Sequence, residues 1–394
     1  MVATAGRALA VTLYCYPYML LTTTSSLARR GRSLLLAAVG LGAVACCDNP
    51  VEPTAEPATP YVLAIPANFP TLPPQPADNP LTEEGVELGR HLFYETALSV
   101  DNTISCASCH RQELAFSDGR AHAIGVNGAQ HPRSSMSLAN MMWEKDLTWD
   151  GVAPTLEQQA RIPLENPVEM HQPLPVSVQR LQKMPKYPAM FRKAFGTSTI
   201  TDDLLLKALS QFERTLISGN SRFDKFRRGD RSALTRTELA GAQLFATHPD
   251  ADRNLRGGNC QDCHAGDLQT NREFSNNGLD LTFTDLGRGG ITKQAFDNGK
   301  FRVPSLRNIA LTAPYMHDGR FQTLEEVLDH YNEHVVKNSP NLDPLIVNAS
   351  NNSFNPPGQI RLGLTATEKA QIVAFLRTLT DSTFITDPRF ARPQ

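Results

Sequence analysis

The sequence carries one five-residue pattern twice, as Cys106-Ala107-Ser108-Cys109-His110 and as Cys260-Gln261-Asp262-Cys263-His264. The spacing Cys-X-X-Cys-His is typical of covalent haem c attachment. Each cysteine can form a thioether with one haem vinyl group, and the histidine that follows can bind the iron. The two copies therefore predict two covalently bound haem c groups, with His110 and His264 as iron ligands.

Zinc is the alternative, since cysteine and histidine at close spacing also bind zinc. A structural zinc site needs four protein ligands, and each motif offers three, with no second Cys-X-X-Cys or His pair beside it. The remaining cysteines of the chain are Cys15, Cys46 and Cys47, which all lie near the N-terminus. We therefore predict haem at both motifs and no structural disulfide.

The N-terminal region has the features of an export signal. Arg29, Arg30 and Arg32 precede an apolar run over residues 34–45 that is too short to span a bilayer. This pattern predicts a signal peptide over residues 1–46 and a periplasmic protein. Small residues before Cys46 are typical of a lipoprotein leader, which would leave Cys46 as a lipid anchor. Ordinary cleavage that leaves Cys46 free is the alternative.

Composition bounds the size of the protein and its partners. The chain has 394 residues and 41% apolar content, which is enough for two domains after the leader. The formal net charge of −2 provides no basic surface, so we exclude nucleic acid as a partner. Ten prolines fall within residues 48–80, and this composition predicts an extended Pro-rich tether over residues 47–80.

Two segments of the chain repeat the order helix, then haem motif. An acidic first turn precedes Gly89 in the first segment, a capping box precedes Gly241 in the second, and Gly-X-X-Leu-Phe begins at each glycine. We therefore predict a mainly α fold of two cytochrome c-like domains with long irregular connections. Residues 81–230 would hold the N-terminal haem, and residues 231–394 the C-terminal haem.

Three amphipathic patterns predict helices that pack on the haems. Residues 204–216 and residues 365–379 would close the two domains. A third helix begins at a capping box of Thr323 and Glu326, and its apolar spacing places Tyr331 on the face that points inward.

Two further stretches are similar to the bacterial dihaem cytochrome c peroxidases and the related MauG proteins. The first runs from Trp149-Asp150-Gly151 to Leu164-Glu165-Asn166-Pro167-Val168-Glu169-Met170, and the second from Phe301-Arg302-Val303-Pro304-Ser305-Leu306-Arg307-Asn308 to Thr312-Ala313-Pro314-Tyr315-Met316-His317-Asp318-Gly319. The resemblance extends from Leu81 to the C-terminus. It implies an enzyme that reduces hydrogen peroxide at the N-terminal haem while the C-terminal haem stores or relays electrons.

The resemblance also implies residue roles at the N-terminal haem. Glu169 matches the acid/base that moves the proton of the peroxide, and Gln159 matches a glutamine on the same distal face. Trp149 matches a tryptophan that the family places between the two haems as an electron relay, and a core aromatic is the alternative. For Trp143 we expect the core role.

The sixth iron site of the N-terminal haem is expected to stay open. Many peroxidases of this family have a removable histidine ligand in a Gly-His-Gly segment. The matching segment here is Gly125-Val126-Asn127-Gly128, and a valine at position 126 cannot bind iron. His122 and His131 lie nearby in sequence and are the candidate substitutes.

The ligand opposite His264 separates two branches of the family. The position is a methionine in peroxidases that accept electrons from small cytochromes and a tyrosine in MauG, and here it is Tyr331. A phenolate favours oxidised iron and lowers the potential. Met316, His330 and His334 are rival ligands, with His330 expected on the polar side of its helix, and a buried core phenol is the alternative role of Tyr331.

The resemblance further implies a calcium ion between the two domains, held by one asparagine side chain and two backbone carbonyls. Thr312 and Pro314 match the carbonyl positions, and Ser134 stands where the asparagine is expected. Calcium prefers oxygen ligands, and waters can complete such a set.

Three functions remain open from the sequence. The first is a MauG-like enzyme that oxidises tryptophan or tyrosine of a partner protein at a distance. The second is a detoxifying peroxidase that receives electrons from a small cytochrome c or a cupredoxin. The third, a dihaem electron carrier without peroxide chemistry, is disfavoured by Glu169, Gln159 and the missing distal histidine. Tyr331 and Val126 favour the first.

Overall fold

A computed structural model describes the chain over three ranges, residues 56–250, 252–349 and 360–394. The predicted signal peptide with Cys46, and the first part of the tether up to residue 55, lie outside the described residues. None of the helices in the three ranges combines the length and the apolar character that a membrane crossing requires.

Helices make up most of the regular structure within these ranges, so the mainly α prediction is confirmed. The α-helices are α1 (Glu83–Phe93), α2 (Cys106–Cys109), α3 (Leu156–Glu165), α4 (Leu174–Lys183), α5 (Lys186–Phe195), α6 (Asp202–Arg214), α7 (Arg222–Arg227), α8 (Arg236–Ala246), α9 (Arg288–Thr292), α10 (Leu324–Asp329), α11 (Pro344–Val347) and α12 (Ala366–Arg377). Two short strands, β1 (Phe274–Ser275) and β2 (Phe301–Arg302), pair antiparallel.

The first core forms where α1 packs on α6. Gly89 lies at the contact, because a Cβ atom there would overlap the backbone of Ala208 and the side chain of Phe212. Helix α6 begins two residues before its predicted start, since the Thr201 side chain caps it by accepting from the amide of Leu204. The amphipathic pattern therefore located this helix, and the cap set its first residue.

The second core repeats this contact between α8 and α12. A Cβ atom on Gly241 would overlap the backbone carbonyl of Gln371 in α12, so the two helices approach as closely as α1 and α6 do. The capping box of Thr365 and Glu368 forms as predicted and starts α12. The glycine that recurs in Gly-X-X-Leu-Phe is thus a helix-packing residue in both halves.

Replacing Gly241 with alanine should destabilise the protein by about 1–3 kcal/mol, because the added methyl group must push two closely packed backbones apart. Denaturant unfolding followed by circular dichroism would measure the change. Gly290 is a matched control, since a Cβ atom there meets nothing closer than Leu286 Cβ at 3.8 Å. Equal midpoints for G241A and G290A would contradict the packing role.

The C-terminal tail packs on the first core, which the predicted domain boundaries did not include. Phe384 and Phe390 are buried there, with ring centroids 5.4 Å from Phe116 and 6.5 Å from Phe212, respectively. Residues 231–394 therefore do not pack as one separate unit. Helical periodicity could not show this, because the tail contributes isolated aromatic residues.

Residues 56–80 lie against the body of the protein, so the prediction of an extended tether is wrong for this part. The side-chain amide of Asn79 is 1% exposed and donates to Ser210 Oγ at 2.9 Å. Phe69 packs on the edge of Trp143 with ring centroids 5.4 Å apart. Part of the segment is therefore fixed to the body by these contacts, while Val62 and Leu72 stay exposed.

Candidate active site

The first haem motif forms a single helical turn that ends at its histidine. The amide of Ser105 donates to Ser108 Oγ at 3.0 Å and closes the start of α2. His110 Nδ1 lies 2.8 Å from the carbonyl oxygen of Phe116. Burial lowers the pKa of His110, so the ring is neutral, with Nδ1 donating to the carbonyl and Nε2 left to bind a metal.

The second haem motif makes the same arrangement from a looser turn. Cys260–Asp262 form one 3₁₀ turn, and His264 Nδ1 lies 3.2 Å from the carbonyl oxygen of Pro304. Burial lowers the pKa of His264 to about 4, so Nε2 of a neutral imidazole is available for iron. The stretch that starts at Phe301 thus orients the ligand of the second haem.

The four motif cysteines are free thiols in the described part of the chain. Burial raises the pKa of Cys109 and of Cys263 to about 11, and that of Cys260 to about 12. Zinc is bound by thiolates, and burial disfavours the thiolate form at these cysteines. Within the described ranges, no three His, Cys, Asp or Glu side chains converge on a metal-sized site. The residues therefore fit haem c and do not fit zinc.

A large cavity lies in front of the second motif. Cys260, Cys263 and His264 line it, and most of its wall is apolar. Its empty volume is about 2030 Å³, the part that is open to solvent included. A flat apolar macrocycle with two thioether links can fill such a space, which a single metal ion would leave largely empty.

Tyr331 lines the same cavity as His264, and so does Met316. Asn277 Nδ2 lies 3.2 Å from Tyr331 Oη and 3.3 Å from Met316 Sδ, so both candidate ligand atoms adjoin one amide. Burial raises the pKa of Tyr331 to about 12, and the hydrogen bond that Asn277 donates acts in the opposite direction. The inward direction that the sequence predicts for Tyr331 agrees with this placement.

The two histidine rivals do not line this cavity. His330 is 3% exposed and its Nε2 lies 3.0 Å from the carbonyl oxygen of Asn277, so the prediction that His330 lies on the polar side was wrong. The physical reason is that α10 ends at Asp329 and continues as a π-turn, His330–His334, which rotates the following side chains. His334 is exposed.

Glu169 lies in the loop that folds back after α3. The amide of Met170 donates to the carbonyl of Pro163 at 3.0 Å and fixes this loop. Glu169 Oε2 is buried without a hydrogen-bond partner, and burial raises the pKa of this carboxyl. The amide of Val126 donates to the carbonyl of Glu169 at 2.9 Å, and a Cβ atom on Gly125 would overlap the Glu169 backbone. The backbone of Val126 therefore lies against the backbone of Glu169.

His122 and His131 are the two histidines that were candidate substitutes for the missing ligand. His122 is exposed, and His131 Nδ1 accepts from the backbone amide of Arg133 at 3.2 Å. Both line a second cavity with polar walls. A protonated His131 would lower the pKa of Glu169 and partly offset the effect of burial.

Gln159 lies on α3, one turn before Pro163. Residues four apart share a helix face, and Pro163 has no amide hydrogen to donate to the carbonyl of Gln159. The side chain of Gln159 is half-buried. Because Pro163 also anchors the Glu169 loop, the structure places Gln159 on the face of α3 that carries this loop.

Trp149 lines the cavity of the second motif. Its indole Nε1 donates to the carbonyl of Ser134 at 3.0 Å, and its own carbonyl accepts from the amide of Arg302 at 2.8 Å. Trp143, by contrast, is 5% exposed and packs in a small apolar cluster, as expected.

The three residues matched to calcium also line this cavity. Ser134 Oγ donates to the carbonyl of Met316 at 3.1 Å. Its hydroxyl proton is therefore used within the protein, while the oxygen lone pairs and the carbonyls of Thr312 and Pro314 are the oxygen atoms that could meet a cation.

Arg302 is a site residue that sequence reasoning did not identify, although it lies in the quoted stretch. Its Nη1 donates to Glu144 Oε2 at 2.7 Å, and Nη2 donates to the carbonyls of Lys145 and Asp146. Its Nε is buried without a partner, and the side chain lines the cavity. A haem carries two carboxylates, so this donor can hold one of them. Asn277 was missed because its role depends on side chains that are distant in sequence.

Both motifs place a buried histidine after two cysteines, and the cavity at the second motif fits a c-type haem. Residues 83–232 match the family model of the di-haem cytochrome c peroxidases. The chain is 37% identical to the methylamine utilization protein MauG of Methylorubrum extorquens, over 74% of this chain and 81% of the relative. It is 32% identical to the cytochrome c551 peroxidase of Nitrosomonas europaea, over 78% of this chain and 83% of the relative.

A crystal structure of a MauG-like protein associated with microbial copper homeostasis matches with a TM-score of 0.72 and 36% identity, covering 84% of this chain and 99% of that chain. The chain belongs to the di-haem cytochrome c peroxidase family. It is an oxidoreductase that acts as a peroxidase, and membership implies two haem c groups and hydrogen peroxide as substrate.

Proposed function

We propose that this chain is an exported, MauG-like di-haem peroxidase. Cys106, Cys109 and His110 hold the haem at which hydrogen peroxide is reduced. The observation that carries the proposal is the buried, unpartnered carboxyl oxygen of Glu169, a residue whose backbone carbonyl accepts from the amide of Val126. A removable histidine ligand is absent at position 126, so peroxide can reach this haem without prior displacement of a protein group.

Glu169 and its neighbours transfer protons and orient the peroxide. When bound, the two haems supply the two electrons that, with two protons, convert hydrogen peroxide to two waters. Glu169 takes the proton from one peroxide oxygen and returns it to the other, which then leaves as water. Gln159 offers an amide that can donate to the peroxide and orient it.

His264 and Tyr331 are the proposed iron ligands of the second haem. A phenolate oxygen stabilises oxidised iron better than a thioether does, which suits a haem that stores an oxidising equivalent. Asn277 supports this choice, because its amide can donate to a phenolate oxygen. Arg302 holds a haem carboxylate.

Trp149 is the proposed relay between the two haems, supported by its place in the cavity wall. A large substrate cannot enter these pockets, so a partner protein would be oxidised by electron transfer across its surface. The partner is a tryptophan- or tyrosine-bearing protein, or a small cytochrome c or cupredoxin that donates electrons.

Calcium, export and lipid anchoring are further parts of the proposal. Ser134, Thr312 and Pro314 supply the oxygen atoms for calcium, and a chelator that leaves both haem spectra unchanged would argue against the ion.

A periplasmic location with Cys46 acylated predicts that the C46A protein leaves the membrane fraction. If both the wild-type protein and C46A stay in the membrane fraction, or if both leave it, Cys46 is not the anchor.

A detoxifying peroxidase is the second candidate, and Met316 in the same cavity favours it. The two functions differ in their response to peroxide. We expect the fully oxidised protein to react with peroxide without prior reduction and to turn over slowly with reduced cytochrome c. Reaction only after one haem has been reduced would favour the detoxifying enzyme.

Replacing Val126 with histidine should install the missing removable ligand. The oxidised V126H protein should lose its high-spin haem signal and react with peroxide at least tenfold more slowly until it is reduced. V126L is the matched control, because leucine keeps the site apolar. Unchanged spectra and rates in V126H would show that position 126 does not face the iron.

A further inference from the structure

A second buried carboxyl lies beside the first haem motif. Glu213 is in the last turn of α6 and is 5% exposed, and its Oε2 has no hydrogen-bond partner. Leu206 and Leu209, on the same face of α6, are buried in the first core. Surroundings of this kind disfavour the charged form of a carboxyl.

Glu213 lies near Cys106. Cys106 packs against the first core, to which Leu209 and Phe212 of α6 belong. After burial, the charge of Glu213 is the largest influence that raises the pKa of the Cys106 thiol, ahead of Cys109 and Glu169. Glu213 is therefore close to the cysteine through which a haem would be attached.

The charged groups near Glu213 do not neutralise it. Arg214, the next residue on α6, donates to Gln75 Oε1 at 3.0 Å and to the carbonyl of Asn79 at 2.9 Å. Glu157, from α3, adds a second carboxylate, and burial together with this carboxylate raises the pKa of Glu213 to about 8. Glu213 therefore binds a proton more readily than an ordinary carboxyl does.

Helices α1 and α4 also pack on α6, and their arginines have partners of their own. Arg90 of α1 donates to Glu87 and to the carbonyl of Ala391. Arg180 of α4 donates to backbone carbonyls within residues 97–100. These arginines are therefore held by other groups and do not neutralise Glu213.

We propose that Glu213 binds the proton that accompanies the electron at the first haem. When ferric iron gains one electron from a reductant, one proton from solvent joins the Glu213 carboxylate. The products are ferrous iron and a carboxylic acid, and oxidation reverses both steps. The ferric haem has one more positive charge than the ferrous haem, and at low dielectric this charge favours the carboxylate.

The proposal rests on haem attachment at the first motif, and its test does not involve peroxide. The midpoint potential of the first haem is measured against pH by spectroelectrochemistry. In the wild-type protein, the coupling should change the reduction equilibrium tenfold per pH unit between the pKa values of Glu213 in the ferric and in the ferrous protein, which is about 59 mV per unit for one electron. The E213Q protein should lose at least half of this slope.

One variant serves as a reference. E165Q removes an exposed carboxylate of α3 and should keep the wild-type slope. A wild-type slope in E213Q, or an equal loss of slope in E165Q, would overturn the proposal.

A measurement on the wild-type and E169Q proteins covers the case in which E213Q fails to fold. Redox-difference infrared spectra should show a protonated carboxyl appearing when the first haem is reduced, with the frequency of a carboxyl that lacks a strong hydrogen bond. The same band should persist in E169Q. Its absence from both proteins would contradict the proposal.

Discussion

Replacing Glu169 with glutamine should slow the consumption of hydrogen peroxide by about 10²- to 10⁴-fold, the usual loss when a positioned acid/base is removed. Glutamine keeps the size of the side chain but can no longer accept a proton from the peroxide. Stopped-flow absorbance of the oxidised protein, mixed with excess peroxide, would measure the rate at the first haem.

E165Q is the matched control, because Glu165 is an exposed carboxylate in the last turn of α3. It should react at the wild-type rate. A rate for E169Q within a few-fold of E165Q would remove Glu169 from the mechanism, provided that both proteins contain two haems.

The pH dependence of the same reaction gives an independent check on Glu169. Burial raises the pKa of this carboxyl, and the base form is the one that accepts the proton. The rate should therefore be low in acid, rise as pH increases through this raised pKa, and then reach a plateau. E169Q should lose this acid limb, since it has no group to titrate at that position.

Replacing Tyr331 with phenylalanine should remove the proposed ligand of the second haem and change its low-spin spectrum. The cavity also holds Met316, so the expected result is a thioether-ligated haem or a haem with an open site. Either change raises the potential, within the roughly 0.8 V range that axial ligands span. Absorption and paramagnetic resonance spectra of the ferric protein would show the change.

M316L is the control for this experiment, because leucine cannot bind iron but fills similar space. M316L should keep the wild-type spectrum. The opposite pattern, with an altered spectrum in M316L and an unaltered one in Y331F, would assign the ligand to Met316 and favour the detoxifying peroxidase.

The features that could be predicted from the sequence are those that local spacing determines. Cys-X-X-Cys-His predicted both haem motifs, the amphipathic patterns found the helices that close the cores, and a capping box located the start of α12. Tyr331 lines the cavity, as its spacing from Leu324 and Leu328 predicts, although it lies in the π-turn that follows α10.

Features that depend on distant contacts could not be predicted in this way. Segments far apart in sequence surround three groups of the site: the unpartnered Nε of Arg302, the side-chain amide of Asn277 and the buried carboxyl of Glu213. Local spacing therefore could not identify them. His330 was misplaced because a π-turn replaces the expected α-helix. The packing of residues 56–80 arises from scattered apolar side chains without a period.

An electron paramagnetic resonance spectrum of the resting ferric protein tests the central claim most directly. The two haems are proposed to differ, one with an open site beside Glu169 and Val126, the other with both axial positions filled by His264 and Tyr331. The account predicts one high-spin and one low-spin signal of equal intensity. Two low-spin signals would contradict it, because both irons would then be closed to peroxide.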